Sequence, residues 1–155
     1  MLERAWFRDI RAVAAVEFAL ISPVLFMLLA AAVDFGLFNK GRTQLNQAIS
    51  AGAEYAQLKG TAATAANVQS FIGAASKLSD VTSTATAPAC FCIIGDVSAR
   101  QLSAQMTCTT LCPDNVSSST YFMTISATYT YHSLMPFWNS FGGGTATAST
   151  TVQLQ

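Results

Sequence analysis

An apolar run from Val13 to Val33 is the feature that most constrains how this chain can fold. The run holds 21 residues and is interrupted only by Glu17 and by Ser22-Pro23. As a helix rising 1.5 Å per residue it would be about 31 Å long, which matches the hydrocarbon core of a bilayer. The sequence therefore predicts a transmembrane helix over residues 13–34.

The charges that flank this run predict its orientation. Three arginines, Arg4, Arg8 and Arg11, precede it, whereas Lys40 and Arg42 follow it at a greater distance. A cationic flank tends to stay in the cytoplasm. We therefore expect the N-terminus inside the cell and everything after the run outside.

Glu17 is the unusual residue of the run. An acidic side chain in a membrane helix costs on the order of 3 kcal/mol on insertion scales, so it usually has a partner or a function. The alternative is a tolerated carboxylate that reaches the headgroup region, since Glu17 lies only about a turn inside the run.

The string RAVAAVEFALISPVLFMLLAAAVDFG carries a resemblance to a known family. Residues 8–36 resemble the leader and first helix of TadE-like minor pilins of tight-adherence (Tad) pili, in the type IV pilus superfamily. In that family a prepilin peptidase removes a short basic leader so that Glu becomes the fifth residue of the mature chain. Here this implies a leader over 1–12 and cleavage between Ala12 and Val13, where family members often have Gly before the cut.

The resemblance also implies a mechanism and partners. Cleavage would create an ammonium group at Val13, one helical turn from Glu17, and each charge would lower the cost of burying the other. The implied location is the bacterial inner membrane, with the head in the periplasm and, once assembled, in the extracellular pilus. The implied partners are the prepilin peptidase, other minor pilins, the major pilin, the inner-membrane assembly platform and membrane lipid.

Two alternatives remain open at this point. Ala30-Ala31-Ala32 offers an A-x-A site at which signal peptidase would release the rest of the chain. A function of a different class is also open, that of a membrane-anchored periplasmic binding or assembly module that never enters a pilus.

Beyond the membrane run the sequence predicts more helix. Over residues 35–59, Phe38, Leu45 and Gly52 recur every seven residues and form the centre of an apolar stripe. We expect part of this stripe to pack on the chain's own head, whereas the rest is open to packing between subunits in a filament. Gly60 is predicted to end this helix, and a second helix is predicted over 65–78, capped by Thr61 or Thr64. Its predicted apolar face consists of Val68, Phe71, Ile72 and Ala75.

The remainder of the head, within residues 60–155, has the residue composition and the alternation of apolar and polar residues that are typical of β-strands. The clearest predicted strand runs from Tyr121 to His132. Its predicted core face consists of Tyr121, Met123, Ile125, Ala127, Tyr129 and Tyr131. Weaker strands are predicted at 81–87, 98–109 and 145–154, with an aromatic loop at 134–138 and a glycine turn at 142–144. The predicted fold is α+β and pilin-like: a long N-terminal helix packed with a short second helix on a small antiparallel sheet.

Four cysteines predict two disulfides, because an exported domain lies in an oxidising compartment. They form two close pairs, Cys90 with Cys92 and Cys108 with Cys112. If both segments were antiparallel strands, nested partners would be favoured, which predicts Cys90–Cys112 and Cys92–Cys108. A zinc site is the competing use, although the spacing of Cys90 and Cys92 does not suit it.

Composition gives no sign of nucleic-acid binding or catalysis. Charged residues make up 10% of the chain with no net charge, so there is no basic footprint for nucleic acid. The single histidine, His132, stands at the end of a predicted strand. We find no nucleophile, phosphate-loop or metal-binding motif, and we expect a structural protein without a cofactor.

Overall fold

The computed structural model describes residues 3–95, 100–134 and 144–155, and the described side chains begin at Val13. The predicted aromatic loop around Trp138 and most of the predicted glycine turn lie outside the described residues.

One helix, α1, runs without interruption from Glu3 to Lys59. It contains Pro23, which cannot donate a hydrogen bond to the carbonyl of Ala19. The hydroxyl of Ser22 donates to that carbonyl at 3.4 Å. The helix ends where predicted: Gly60 adopts a left-handed φ of +55°, and the carbonyl oxygen of Gln155 lies where a side chain on Gly60 would stand.

A short 3-10 turn, Gly60–Ala62, leads to the second helix, α2, which spans Ala65–Ser76. Thr64 caps it by accepting a hydrogen bond from the backbone N–H of Asn67 at 3.3 Å. Half of its predicted apolar face is buried, namely Val68 and Ile72. Two members of that face are exposed, and Phe71 instead stacks on Tyr55 with ring centroids 4.7 Å apart.

Six strands follow in the described part of the chain. In chain order they are β1 Val81–Ala85, β2 Ala89–Phe91, β3 Ile93–Ile94, β4 Gln101–Leu102, β5 Thr120–Thr130 and β6 Thr145–Gln153. Strand β5 is central and every pairing is antiparallel. Strand β6 follows one side of β5, while β1 and β2 share the other side end to end. Strands β3 and β4 form a separate hairpin. The α+β prediction is confirmed.

The strand predicted at 98–109 is wrong over most of its length. Only Gln101–Leu102 is a strand in the described residues, and Met106 forms an isolated bridge with Cys90. The chain then turns, because Thr109 adopts a left-handed φ of 71° and the N–H of Thr110 bonds back to the carbonyl of Thr107. Strands β2 and β3, which are only three and two residues long, were not predicted.

The core lies between α1, α2 and one face of the sheet. Strand β5 contributes Met123 and Ile125, both 0% exposed, and the predicted core face of this strand is confirmed except at exposed Tyr121. Helix α1 contributes its predicted stripe: Leu45, Ala48, Ile49 and Ala56 are buried. The half of α1 that follows the apolar run therefore packs on the chain's own head.

Candidate functional site

The membrane-length half of α1 is not covered by any other described part of the chain. Its most apolar window has a mean hydropathy of 2.3 and no buried residue, and it is the one helix in the described part of the chain that is long and apolar enough to cross a bilayer. The consecutive residues Leu25, Phe26, Met27 and Leu28 point in four directions around the helix, at about 100° intervals, and all are more than half exposed. A helix that is apolar all round is stable only in lipid or among other apolar helices, so this segment fits a single-pass anchor.

Glu17 lies on this uncovered helix and its side chain is exposed. Val13, one turn earlier, is 57% exposed. Within the described residues, Glu17 has no recorded hydrogen bond or ion pair. Its carboxylate is therefore available to a charge outside the folded chain or to a new N-terminus at Val13. Cleavage between Ala12 and Val13 stays a prediction.

The helix meets the head at a buried carboxylate, that of the last residue of the predicted transmembrane helix over 13–34. Asp34 is 0% exposed. Its Oδ1 accepts a hydrogen bond from the hydroxyl of Tyr131 at 2.8 Å and another from the backbone N–H of Leu134 at 2.9 Å. A buried charge is tolerated only when it is hydrogen-bonded in this way. Asp34 thus ties the end of the membrane segment to the end of β5.

Tyr131 is suited to remain a neutral donor at this junction. Burial, the hydrogen bond to Asp34 and the negative charge of Asp34 together raise the pKa of Tyr131 to about 12. The ring of Phe38, one turn beyond Asp34, meets the Tyr131 ring edge-on with centroids 5.9 Å apart. The junction therefore combines a charge-assisted hydrogen bond with an aromatic contact.

Gly41 allows α1 to approach the sheet closely beside this junction. It is buried, and a Cβ atom at this position would overlap the ring of Tyr129. Spacing offers a signal for the junction: Asp34, Gly41 and Ala48 recur every seven residues, so Asp34 extends the buried stripe of the head back to the membrane segment.

The four cysteines form two disulfides, but their pairing differs from the predicted one. The bonds are Cys90–Cys108 and Cys92–Cys112, not Cys90–Cys112 and Cys92–Cys108. The prediction assumed that both segments were extended strands. Because the chain turns at Thr109 instead, Cys108 remains near Cys90 through the neighbouring bridge of Cys90 to Met106, and the turn brings Cys112 back to Cys92. With all four sulfur atoms in disulfides, the zinc alternative is wrong.

The second disulfide holds a tight loop at the surface. The Oδ1 atom of Asp114 accepts backbone hydrogen bonds from Val116 and Ser117, each at 3.0 Å, and its other oxygen accepts from the Ser117 hydroxyl. These bonds, that from the hydroxyl first, lower the pKa of Asp114. The loop presents Val116, which is 85% exposed, and Leu111, which is 59% exposed.

His132 lies at a surface position. Its Nε2 is 3.6 Å from Oδ2 of Asp80, and both side chains are more than half exposed. Exposed pairs of this kind contribute little to stability. His132 is therefore a polar residue at the surface, just beyond the end of β5.

Residues 12–54 match the model of a family described as TadE-like protein. The matched segment covers the apolar half of α1, Glu17, Asp34 and most of the helix that packs on the head. The family is a structural one associated with the Tad pilus. No curated protein and no solved structure matches the chain.

Proposed function

We propose that this chain, a TadE-like protein by its matched helix, is a minor pilin that takes part in assembling or priming a Tad pilus. It enters the inner membrane with its leader, residues 1–12, in the cytoplasm. A prepilin peptidase then cuts between Ala12 and Val13. Residues 13–34 anchor the product, residues 35–59 continue the helix, and the head over 60–155 lies in the periplasm until the subunit is assembled.

The observation that carries this proposal is the uncovered apolar half of α1 with Glu17 on it. In the membrane that surface is covered by lipid, and in a pilus by like helices of neighbouring subunits. A carboxylate in either surrounding is costly unless it is paired. After cleavage, the ammonium group of Val13 on the same chain or on a neighbour supplies the partner. Pairing therefore favours one position of the helix along the membrane normal, or along a neighbouring helix, over others.

This mechanism requires certain partners. The prepilin peptidase supplies the new N-terminus, and the inner-membrane assembly platform moves the helix out of lipid. Other minor pilins and the major pilin provide the helices against which it packs. Support for these partners comes from the family match and from the apolar surface of α1, which no other described residues cover.

The proposal is tested first by intact mass and N-terminal sequence of the membrane-extracted protein, with and without the prepilin peptidase. We expect a chain that starts at Val13 only when the peptidase is present. A chain that keeps Met1 would instead indicate a permanently anchored periplasmic module, and one that starts at Val33 would indicate a secreted protein released by signal peptidase.

The role of Glu17 is tested by Glu17→Gln, with Glu54→Gln as the matched control because Glu54 is an exposed glutamate of the same helix. Both variants should insert into the membrane. Only Glu17→Gln should lower the number of pili, or the amount of the subunit in sheared pili. Normal assembly by Glu17→Gln would refute the pairing role.

A further inference from the structure

The outer edge of β6 presents unpaired backbone groups. Strand β6 pairs with β5 from Thr145 to Gln153 in one unbroken register. The backbone N–H of Tyr131 bonds to the carbonyl of Gly144, and that of Leu154 bonds to the carbonyl of Tyr121. In an antiparallel ladder these bonded pairs alternate with unbonded ones, so the even-numbered residues of β6 bond to β5. The N–H and C=O groups of the odd-numbered residues point away from the sheet.

These outward groups have no recorded backbone partner in the described part of the chain. The odd-numbered residues are all exposed: Thr145, Thr147, Ser149, Thr151 and Gln153. Natural edge strands are usually short, charged, bulged or broken by proline. Strand β6 has nine residues and contains no charge and no proline, and its register has no bulge.

The opposite edge of the sheet is divided between two short strands, β1 with five residues and β2 with three. Helix α2 lies beside β1, where the hydroxyl of Ser83 donates to the carbonyl of Gln69 at 3.3 Å. Strand β2 has a further neighbour on its outer side, since the N–H of Met106 bonds to the carbonyl of Cys90 at 3.0 Å. Among the described residues, β6 is therefore the edge of this sheet that runs unbroken over nine residues.

Helix α1 fixes the direction from which a neighbour can approach. Phe38 and Arg42 lie beside Thr145–Thr147 at one end, and Gly60 lies against Gln155 at the other. Helix α1 and strand β6 therefore run in the same direction, with α1 packed on the face of the sheet. Antiparallel pairing of two β6 strands needs a two-fold axis perpendicular to the sheet, which would point the two membrane helices in opposite directions. Two copies anchored in one membrane can join these edges only with parallel strands.

We infer that β6 is a docking edge for the β6 strand of a second copy of this chain, paired in parallel while both helices share one membrane. The exposed side chains of β6 are uncharged, so two copies meet without like-charge repulsion, and threonine is favoured in strands. The inference takes from the proposed function only that both helices enter the membrane in one direction.

The test uses the full chain expressed alone in a bacterial host that makes no other pilus subunit, where export fixes the orientation. A photoreactive benzoylphenylalanine replaces Thr147 or Thr151 on the β6 edge, and Thr82 on β1 serves as the control position. We expect a crosslinked dimer from both β6 positions and little from Thr82. The partner site should move along the chain in the same direction as the probe. No dimer, an equal dimer from Thr82, or partner sites that move in the opposite direction would overturn the inference.

Matched variants separate edge pairing from folding. Ser149→Pro removes one outward N–H and leaves the bonds to β5, and proline is tolerated on an edge strand at such a position. With the probe at Thr151, Ser149→Pro should reduce the yield of crosslinked dimer about threefold to tenfold, which is the effect expected for the loss of one hydrogen bond. Thr147→Lys should reduce it as well, and Thr84→Lys on β1 should not. An undiminished dimer in both β6 variants would refute the inference.

The outcome is independent of pilus formation. The host makes no pili, and Glu17→Gln should keep the dimer even where it abolishes assembly. If no dimer forms in this host, although the same chain supports pilus assembly in a pilus-forming host, this inference is overturned and the proposed function stands.

Discussion

The junction between the membrane segment and the head depends on single residues. Asp34 and Tyr131 are 97 positions apart in sequence, yet the hydroxyl of Tyr131 lies 2.8 Å from Oδ1 of Asp34 with both side chains buried. A charge-assisted hydrogen bond of this kind is stronger than a neutral one. The head is therefore held to the helix by a buried hydrogen bond as well as by apolar contacts.

Removal of the Tyr131 hydroxyl should destabilise the head. In Tyr131→Phe the carboxylate of Asp34 stays buried and loses one donor, which costs about 1–3 kcal/mol of unfolding free energy. Denaturant unfolding of the full chain in detergent measures this loss. Tyr129→Phe is the control because the Tyr129 hydroxyl has no recorded hydrogen bond in the described structure, and an equal loss in both variants would contradict the assignment.

The stability of the wild type should also depend on pH through Tyr131. The free energy of unfolding should fall above about pH 10, where the unfolded tyrosine ionises, and level off as pH passes the folded pKa of about 12. Tyr131→Phe should lack that contribution.

Two glycines of α1 should respond to alanine in opposite ways. A Cβ atom on Gly41 would overlap the Tyr129 ring, so Gly41→Ala should lower stability by about 1–3 kcal/mol despite the better helix propensity of alanine. Nothing lies within 4 Å of a Cβ on Gly36, so Gly36→Ala should raise stability by up to about 1 kcal/mol. Thermal unfolding followed by circular dichroism compares the two. A stable Gly41→Ala variant would show that the contact relaxes freely.

At the residue scale, the sequence predicted what depends on near neighbours. The cap at Thr64 and the helix end at Gly60 follow from local chemistry, and both predictions are confirmed. The bond of Asp34 to Tyr131 depends on how β5 lies against α1. No local pattern in the sequence contains that information.

At the element scale, long periodic segments were predictable and short ones were not. Helices α1 and α2 and strands β1, β5 and β6 carry repeats of 3.6 or 2 residues over enough positions to be recognised. Strands β2, β3 and β4 have only two or three residues each, and the disulfides and neighbouring bridges determine their course. The wrong disulfide pairing has the same origin, since the direction of the chain at Thr109 decides it.

The disulfide pairing can be verified without a structure. Chymotrypsin should cut the unreduced protein after Phe91, Leu102 and Leu111, so that each cysteine falls on a separate peptide. The peptide of Cys90 should then be linked to residues 103–111, and residues 92–102 to the peptide that begins at Cys112. Mass spectrometry identifies the linked peptides, with a reduced digest as the control. A peptide that joins Cys90 to Cys112 would contradict the observed pairing.

At the scale of the whole molecule, the continuity of α1 has a mechanical consequence. The helix crosses from Val13 through Asp34 into the head without an interruption. The direction in which Glu17 points is therefore fixed relative to the face of the sheet. A subunit with a flexible linker could adjust its helix and its head separately during assembly, whereas this chain must place both at once.

A change of helical phase between the two parts tests that coupling. One alanine inserted between Ala32 and Val33 turns Glu17 by about 100° relative to the head and shifts it by about 1.5 Å. Everything from Asp34 onward is unchanged, so the melting temperature of the head and insertion into the membrane should both stay the same, while assembly into pili should fall sharply. Deletion of Leu28 in the same chain restores the phase and the length between Glu17 and Asp34, and it should restore assembly. If the single insertion assembles as well as the wild type, the head and the membrane helix act independently, and the junction at Asp34 serves only the stability of the head.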